Sequence, residues 1–580
     1  MRRTSDLCSL VLVFFLLSTA ALRAQADHPP STAAPSSTPS QPAATFQVST
    51  RLVTVEVVAR DHHGSPITGL TANDFQVFEQ VGGKKEQHPQ KIAAFRAVSV
   101  TELAAADAGK RTMPAGVYSN WVTMQKIPVP PTVLLLDGLN TDRTSQMQIH
   151  QQMIKMLASI PDDVPVAVFL LGHRLQMVQN FTTDPKLVKA ALQKLPAMES
   201  DDATHIDPQD DPDAMSAFVE DNSNFPPASL AAMQQFERET YAMQMDMRVQ
   251  ETLGALRAIA RHVAGYPGRK NLLWISSSFP IAIDPDVDLG FAGFRNYADQ
   301  MAEVVNALAE AKLAVYPMDP AGLQVSSVFQ AGTRMRGSAS GPAIQGRMDR
   351  EDRSRFNRED STKVLAEQTG GIVCVNNNDL GECVRKAIAD GRSFYEIAYY
   401  PDSSGWHGEF HKVLVKTSRG GTHLAYRQGY YARTEDMADP KNAAKQLQEA
   451  ACDDLLTSTF VLMIAKELPA EPGRAKYYMA VDPTTLTFSS GSDGSRQLSL
   501  KVGICTFDKF GKPLQFFQQP FDQKLTDKEY ASVSAHHGFP HIVVLPVTAE
   551  TKSVRLLVKD VATGQLGSLN IPYSAIAASP

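Results

Sequence analysis

The stretch PTVLLLDGLNT, residues 131–141, decides the fold because it joins an apolar run to a carboxylate and a turn. Its apolar residues do not alternate with polar ones, which predicts a strand covered on both faces, as in a parallel sheet. Comparable apolar runs separated by helical stretches follow at residues 164–171, 271–276 and 313–317. This alternation predicts an α/β fold with a doubly wound, mostly parallel sheet and right-handed crossovers.

The sequence on either side of this region is rich in β-branched residues and turn clusters. It therefore predicts a small N-terminal β module and a C-terminal antiparallel β sandwich. The predicted division is a β module at 46–130, an α/β domain at 131–392 with insertions at 199–227 and 321–358, a β extension at 393–433, a helical connector at 434–456 and a β-sandwich domain at 457–580.

The N-terminus has the pattern of an export signal. Arg2 and Arg3 precede an apolar run at residues 7–21, and Ala24-Gln25-Ala26 offers the small residues that signal peptidase reads. The run is shorter than the roughly 20 residues that span a bilayer, which favours a cleaved signal peptide (residues 1–26) over an uncleaved anchor. We therefore expect a periplasmic or extracellular protein with no membrane span after cleavage. Residues 27–45, rich in Pro, Ser and Ala, predict a disordered linker.

The overall charge excludes one class of partner. The formal net charge is -6, and no basic run interleaved with aromatic residues occurs. Nucleic-acid binding is therefore not expected.

Four cysteines follow the predicted signal peptide: Cys374, Cys383, Cys452 and Cys505. In an oxidising compartment four cysteines allow three disulfide pairings. Cys374–Cys383 is favoured because it is local, and Cys452–Cys505 is the remaining pair. Buried free thiols are the alternative.

Ligands of an open parallel sheet bind at the carboxyl ends of its central strands. Asp137 ends the first predicted strand of this sheet and begins the segment Asp137-Gly138-Leu139-Asn140-Thr141. This segment resembles the first metal-binding loop of von Willebrand factor type A domains, in which the strand ends in Asp-x-Ser-x-Ser. It is also similar to the Asp-x-Leu-Asn-Thr variant of the VWFA-related acidobacterial domain family. Further stretches that carry the resemblance are residues 57–78 with the turn at 66–70, GRKNLLWIS at 268–276, YYP at 399–401 and GYY at 429–431.

The resemblance implies a Mg²⁺ site that accepts a carboxylate from a partner protein. Asp137 matches the first ligand, Asn140 and Thr141 offer oxygen atoms, and Thr252 is the candidate for the threonine of a second loop. Two ligands are missing, because Leu139 replaces a serine and Ser276-Ser277-Ser278 stands where an aspartate is expected. We therefore predict a degenerate site without a cofactor, in which Asp137 caps or hydrogen-bonds the helix that follows; an intact Mg²⁺ site is the alternative.

The common enzyme signatures do not occur in the sequence. It contains no H-E-x-x-H, G-x-S-x-G or Walker motif, so no catalytic residue is assigned. His407 and His411, and likewise His537 and His541, are four residues apart but lie beside turns, which favours solvated histidines over metal ligands.

Three further features were interpreted without a role in chemistry. Glu56 is expected to face solvent from its strand, and Trp274 to lie in the core. The methionines at 243–247 either pack the long helix predicted at 230–264 or form an adaptable contact surface.

The function expected from these features is protein binding without catalysis, in adhesion or envelope assembly, with an unknown protein partner. A structural envelope scaffold is the alternative, followed by an uncharacterised hydrolase.

Overall fold

A computed structural model describes the chain at residues 52–99, 114–120, 129–141, 153–172, 174–193, 226–266, 268–276, 297–319, 362–374, 379–401, 407–432, 440–453, 455, 461–490, 495–535 and 538–574. The predicted signal peptide, linker and second insertion lie outside the described residues, as does the first insertion apart from residues 226 and 227.

The described part of the chain contains strands and helices that we number in chain order. They are β1 (Val53–Arg60), β2 (Phe75–Val81), β3 (His88–Gln90), β4 (Ile92–Ser99), β5 (Val117–Ser119), β6 (Thr132–Asp137), β7 (Val166–Leu171), β8 (Leu175–Thr182), α1 (Pro185–Gln193), α2 (Pro227–Val263), β9 (Lys270–Ile275), α3 (Ala298–Glu310), β10 (Leu313–Met318), α4 (Leu380–Arg392), β11 (Ser393–Tyr399), β12 (Phe410–Thr417), β13 (His423–Ala425), β14 (Gly429–Tyr431), α5 (Pro440–Cys452), β15 (Met463–Leu468), β16 (Arg474–Val481), β17 (Ser489–Ser490), β18 (Arg496–Phe507), β19 (Pro513–Leu525), α6 (Asp527–Ala535), β20 (Phe539–Pro546), β21 (Ser553–Asp560) and β22 (Leu566–Pro572).

The central sheet is mixed and has the strand order β10-β9-β6-β7-β8. The first four strands are parallel, and β8 at the edge runs antiparallel to β7. Every residue of β6 is buried. Val133 and Leu135 pack in a cluster with α2 and α3, whereas Leu134 and Leu136 pack in a second cluster with α4. Helices on both faces explain why the apolar run of β6 does not alternate.

Helix α4 is an element that the sequence analysis missed. Before it, Cys374 forms an isolated bridge with Met318. Asp379 is the N-cap residue of α4, and its side chain accepts a hydrogen bond from the Glu382 backbone N–H. Its buried side chains recur at helical spacing, at positions 380, 383, 384, 387 and 388. That periodicity was a usable signal.

The strands of the predicted N-terminal module pair with those of the predicted β extension. β1 pairs with β11 and β13, and β2 pairs with β12, so two antiparallel sheets are built from both segments. β5 instead pairs with β15 of the C-terminal region. The predicted domain boundaries stay a prediction, but strand pairing crosses them.

Two antiparallel sheets also form the C-terminal region, in the orders β20-β16-β15-β5 and β17-β18-β21-β22, with β19 paired to β18. Their apolar side chains share one buried cluster, which includes Tyr477, Val502 and Leu556. Helix α5 packs on β18, and the Cys452 and Cys505 sulfur atoms are bonded between these two elements. Cys374 and Cys383 form the second disulfide, so the bonded pairs are those that the sequence favoured. No described helix is both long and apolar enough to cross a membrane.

The interpretation of Glu56 as solvent-facing is wrong, because its side chain is buried. It lies opposite Glu396 in the β1–β11 pair. Lys312 Nζ forms an ion pair with Glu396 and lies 3.8 Å from Glu56 Oε1, and this lysine precedes β10. The two glutamates therefore help to join the antiparallel sheet to the base of the α/β sheet.

Candidate functional site

The carboxyl end of β6 lies at the topological switch point of the central sheet. The next strand in sequence, β7, pairs on one side of β6, and β9 pairs on the other. At such a point the connections leave in opposite directions, so the loop that follows the strand borders a crevice. The loop after β6 is held in place because Gly138 and Leu139 both donate backbone hydrogen bonds to the Leu171 carbonyl, at 2.8 and 3.0 Å.

Asp137 is the centre of a buried hydrogen-bond cluster at this strand end. Its Oδ1 accepts from the Asn140 backbone N–H at 2.9 Å. Its Oδ2 accepts from Asn140 Nδ2 at 2.8 Å and from Trp274 Nε1 at 2.9 Å. The Ser276 side chain is a fourth hydrogen-bond partner of the carboxylate. Two strand-end segments, after β6 and at the end of β9, thus converge on one side chain.

The two threonines of the predicted site lie in the same cluster. Thr141 Oγ1 donates to the Asp137 carbonyl oxygen. Thr252, on α2, accepts from Asn140 Nδ2 at 2.9 Å through its Oγ1. The structure therefore brings together all four residues that the sequence singled out, Asp137, Asn140, Thr141 and Thr252, although α2 is more than a hundred residues away in sequence.

Burial controls the ionisation of Asp137. Its side chain is almost fully removed from solvent, and this burial raises its pKa from the usual 3.8 to about 6, against the opposing effect of the hydrogen bonds from Asn140, Trp274 and Ser276. Because the pKa is higher in the folded state, the carboxyl contributes stability that is fully present below pH 3.8 and is lost as the pH rises through 6. At neutral pH the ionised Asp137 therefore depends on its hydrogen bonds.

The cluster does not suit a hard divalent cation. Mg²⁺ and Ca²⁺ bind oxygen lone pairs, and an ionised carboxylate offers about four of them. Four protein groups already hydrogen-bond to Asp137, and two of them are nitrogen donors that approach Oδ2. Leu139 offers no oxygen side chain. Asn140 Oδ1 is a buried acceptor without a protein donor, but one amide oxygen does not make a ligand set. Among the described residues no cluster of three or more His, Cys, Asp or Glu side chains could hold a metal.

Trp274 is the residue of this cluster whose part the sequence analysis missed. It lies in the core, with no exposed surface, as predicted, but its indole N–H donates to Asp137. Ser276 stands where an aspartate ligand was expected, and its side chain hydrogen-bonds to the same carboxylate. Ser277 and Ser278 lie outside the described residues. A buried indole needs an acceptor for its N–H. The prediction that Trp274 is buried could therefore have led to the expectation that it donates to a buried carboxylate such as Asp137.

The interpretation of His411 as a solvated histidine is wrong. His411 has no exposed surface, and its Nδ1 contacts Glu79 Oε1. The Tyr430 hydroxyl donates to the same Glu79 oxygen at 2.7 Å. The neighbouring turns were misleading because His411 lies within the strand β12, along which His411, Val413 and Val415 are all buried, while Lys412 is exposed. Period-two spacing therefore assigns His411 to the core face.

The other histidines of the sequence analysis lie differently. His407 is exposed, in accord with its interpretation. His541 is half-buried and contacts the ring of Phe521 edge-on at 4.9 Å, and burial lowers its pKa. His537 lies outside the described residues.

Comparisons with known proteins add little beyond the fold. A scan against protein-family models finds no match, and neither does a search of curated proteins. Similar solved structures include an aerotolerance-related membrane protein from Bacteroides fragilis, with 9% identity over 45% of this chain and 98% of that one and a TM-score of 0.24. BatB from Bacteroides thetaiotaomicron has 10% identity over 45% of this chain and 97% of that one, with a TM-score of 0.21. A von Willebrand factor type A protein from Catenulispora acidiphila has 8% identity over 66% of this chain and 82% of that one, with a TM-score of 0.20. Likenesses with such low TM-scores carry no argument about function, and the resemblance to the acidobacterial family stays a prediction.

Proposed function

We propose that this chain is an exported, non-catalytic protein-binding protein, and that its type A-like α/β domain binds a partner without a metal. The observation that carries the proposal is the saturated carboxylate of Asp137. In the loop that Asp137 begins, the groups that would hold Mg²⁺ in a type A domain hydrogen-bond to one another instead. They organise the strand end and leave recognition to the surface around it.

The two buried acid–base groups described above support binding over hydrolysis. A general base must reach a substrate proton within hydrogen-bond distance. Asp137 is buried with its carboxylate occupied by protein donors, and His411 is enclosed between Glu79 and Tyr430 inside a β sheet core. Neither of these two groups presents a free proton acceptor to a substrate. Export and the acidobacterial relationship belong to the same proposal and rest on the N-terminal pattern and the motifs quoted above.

Partner capture from an envelope extract tests the proposal. Arg174 is exposed beside Gly172, at the carboxyl end of β7, and is therefore next to the switch point. We expect the immobilised chain to retain one or a few proteins equally in Mg²⁺ and in EDTA. We also expect Arg174→Glu to reduce that capture at least fivefold, whereas Lys91→Glu, an exposed lysine beside β4, leaves it unchanged.

Two results would contradict the proposal. Loss of capture in EDTA would show that the contact with the partner requires a metal ion, as in type A domains. Absence of any captured protein would favour the envelope scaffold.

A further inference from the structure

The first half of α2 carries apolar side chains that the protein core does not cover. Phe236 is 69% exposed, and Met243 and Met247 are each 53% exposed. Further along the same helix the apolar residues are buried against the central sheet, at positions 249, 253, 256, 259 and 263. The helix therefore has two parts with different environments, and its exposed part does not behave as packing for the core.

These three exposed residues share one face of the helix with two half-buried ones, and we call this face the methionine stripe: Met233, Phe236, Thr240, Met243 and Met247. The steps between them are three and four residues, which places all five on one face of a helix. Thr240 Oγ1 donates to the Phe236 carbonyl at 2.8 Å, so its hydroxyl is turned toward the helix backbone. Alternate steps of three and four are the spacing by which a helix packs against another helix.

The residues that flank the methionine stripe are acidic. On its two sides lie positions 237 and 244, and positions 239 and 246, which are Glu237, Gln244, Glu239 and Asp246. Three of these four positions hold carboxylates and none holds a basic residue. The Tyr297 hydroxyl donates to Asp246 Oδ1 at 2.8 Å, and Gln235 Nε2 donates to Glu239 Oε1 at 2.9 Å.

We infer that the methionine stripe is a docking surface for a basic amphipathic helix of a partner protein. Flexible methionine side chains adapt to varied apolar faces, and an exposed phenylalanine supplies an anchor. Acidic flanks attract a helix with lysine or arginine beside its apolar face. A second copy of this chain fits less well, because antiparallel pairing through the stripe would bring Glu239 of one copy near Asp246 of the other.

This docking surface is independent of the Asp137 cluster. The proposed function leaves the partner unidentified, whereas this surface specifies a basic amphipathic helix. Binding at the stripe does not depend on the loop after β6. A failure of the peptide experiment below would leave the envelope-capture experiment unaffected, because that experiment reports on Arg174 and EDTA.

Two synthetic helical peptides with the same leucine face test the inference, one flanked by lysine and arginine and the other by glutamate. We expect the purified full chain to bind the basic peptide saturably at one site, measured by fluorescence anisotropy. The acidic peptide should bind at least tenfold more weakly. The affinity for the basic peptide should fall with added salt, because exposed charges are screened.

Variants locate the site. Phe236→Gln combined with Met243→Gln should weaken binding at least tenfold, while Met177→Gln, at an exposed methionine on β8, should not. Glu237→Gln combined with Glu239→Gln should weaken it about threefold to tenfold, whereas Glu471→Gln with Glu550→Gln, at two exposed glutamates elsewhere, should have no effect. Circular dichroism checks that each variant is folded.

Several outcomes would overturn the inference. These are no peptide binding, equal binding of both peptides, or full binding by the Phe236→Gln/Met243→Gln variant. A concentration-dependent dimer that this variant abolishes, seen by sedimentation, would assign the stripe to a second copy of the chain instead.

Discussion

Replacing Asp137 with alanine is expected to lower the free energy of unfolding by about 2–5 kcal/mol at neutral pH. The variant leaves the Asn140 backbone N–H, Asn140 Nδ2 and Trp274 Nε1 without their shared acceptor, and buried donors without partners cost about 1–3 kcal/mol each. Removing the carboxylate also removes the free-energy cost of burying an ionised group. A pKa raised from 3.8 to about 6 corresponds to about 3 kcal/mol by which the ionised group opposes folding. The lost hydrogen bonds are the larger effect.

The pH dependence of this loss identifies its cause. In the unmodified protein Asp137 takes up a proton in the folded state as the pH falls through 6, so its contribution to stability increases. The difference between the protein and Asp137→Ala should therefore be about 1 kcal/mol larger at pH 5 than at pH 7.5. Urea unfolding at both pH values measures it. Asp162→Ala, at an exposed aspartate, is the control and should change stability by less than about 0.5 kcal/mol. A destabilisation of Asp137→Ala as small as the control's would contradict the hydrogen-bond cluster.

Replacing His411 with leucine is expected to destabilise the protein by about 3–5 kcal/mol, because it leaves the buried Glu79 carboxylate without the imidazole that it contacts. Tyr430 alone would then donate to Glu79. Thermal and urea unfolding measure the loss. His407→Leu provides a matched control, since His407 is an exposed histidine four residues away and its replacement should cost less than about 0.5 kcal/mol.

A second replacement separates the buried charge from packing. Glu79→Gln keeps an oxygen that accepts from Tyr430 and removes the charge, so the double variant Glu79→Gln/His411→Leu should recover at least half of the stability that His411→Leu loses. If the double variant is less stable than His411→Leu, the loss comes from the shape of the cavity and the ion pair has no special part in it.

The sequence predicted the parts of the fold whose patterns are local. The non-alternating run at residues 132–136 predicted a strand buried on both faces, and the structure has it in the middle of the mixed sheet. It also pointed to Asp137, because a carboxylate that ends a central strand lies where open sheets bind ligands. The partners of Asp137 could not all be predicted, since Trp274 and Thr252 are far away along the chain and come near it only through β9 and α2.

The errors have physical causes that can be stated residue by residue. His411 was expected in solvent because turns lie beside it, but it belongs to the strand β12, whose inward face is set by a period of two. Glu56 was expected at the surface because a carboxylate among valines usually faces solvent. Lys312 lies close enough to compensate its charge, and that lysine directly precedes the edge strand of a different sheet. Neither the pairing of β1 with β11 nor that of β5 with β15 has a signal in any local window of sequence.

The protonation of Asp137 with and without Mg²⁺ tests the central claim most directly. The chain has three tryptophans, and replacing Trp121 and Trp406 with phenylalanine leaves Trp274 as the fluorescent reporter in hydrogen-bond contact with the carboxylate. We predict a fluorescence transition with a pKa of about 6 that is the same in millimolar Mg²⁺ and in EDTA, and that is absent from the same protein carrying Asp137→Asn. A bound cation would compete with the proton. A transition that moves to lower pH in Mg²⁺ would therefore show that Asp137 is a metal ligand and would contradict metal-free binding.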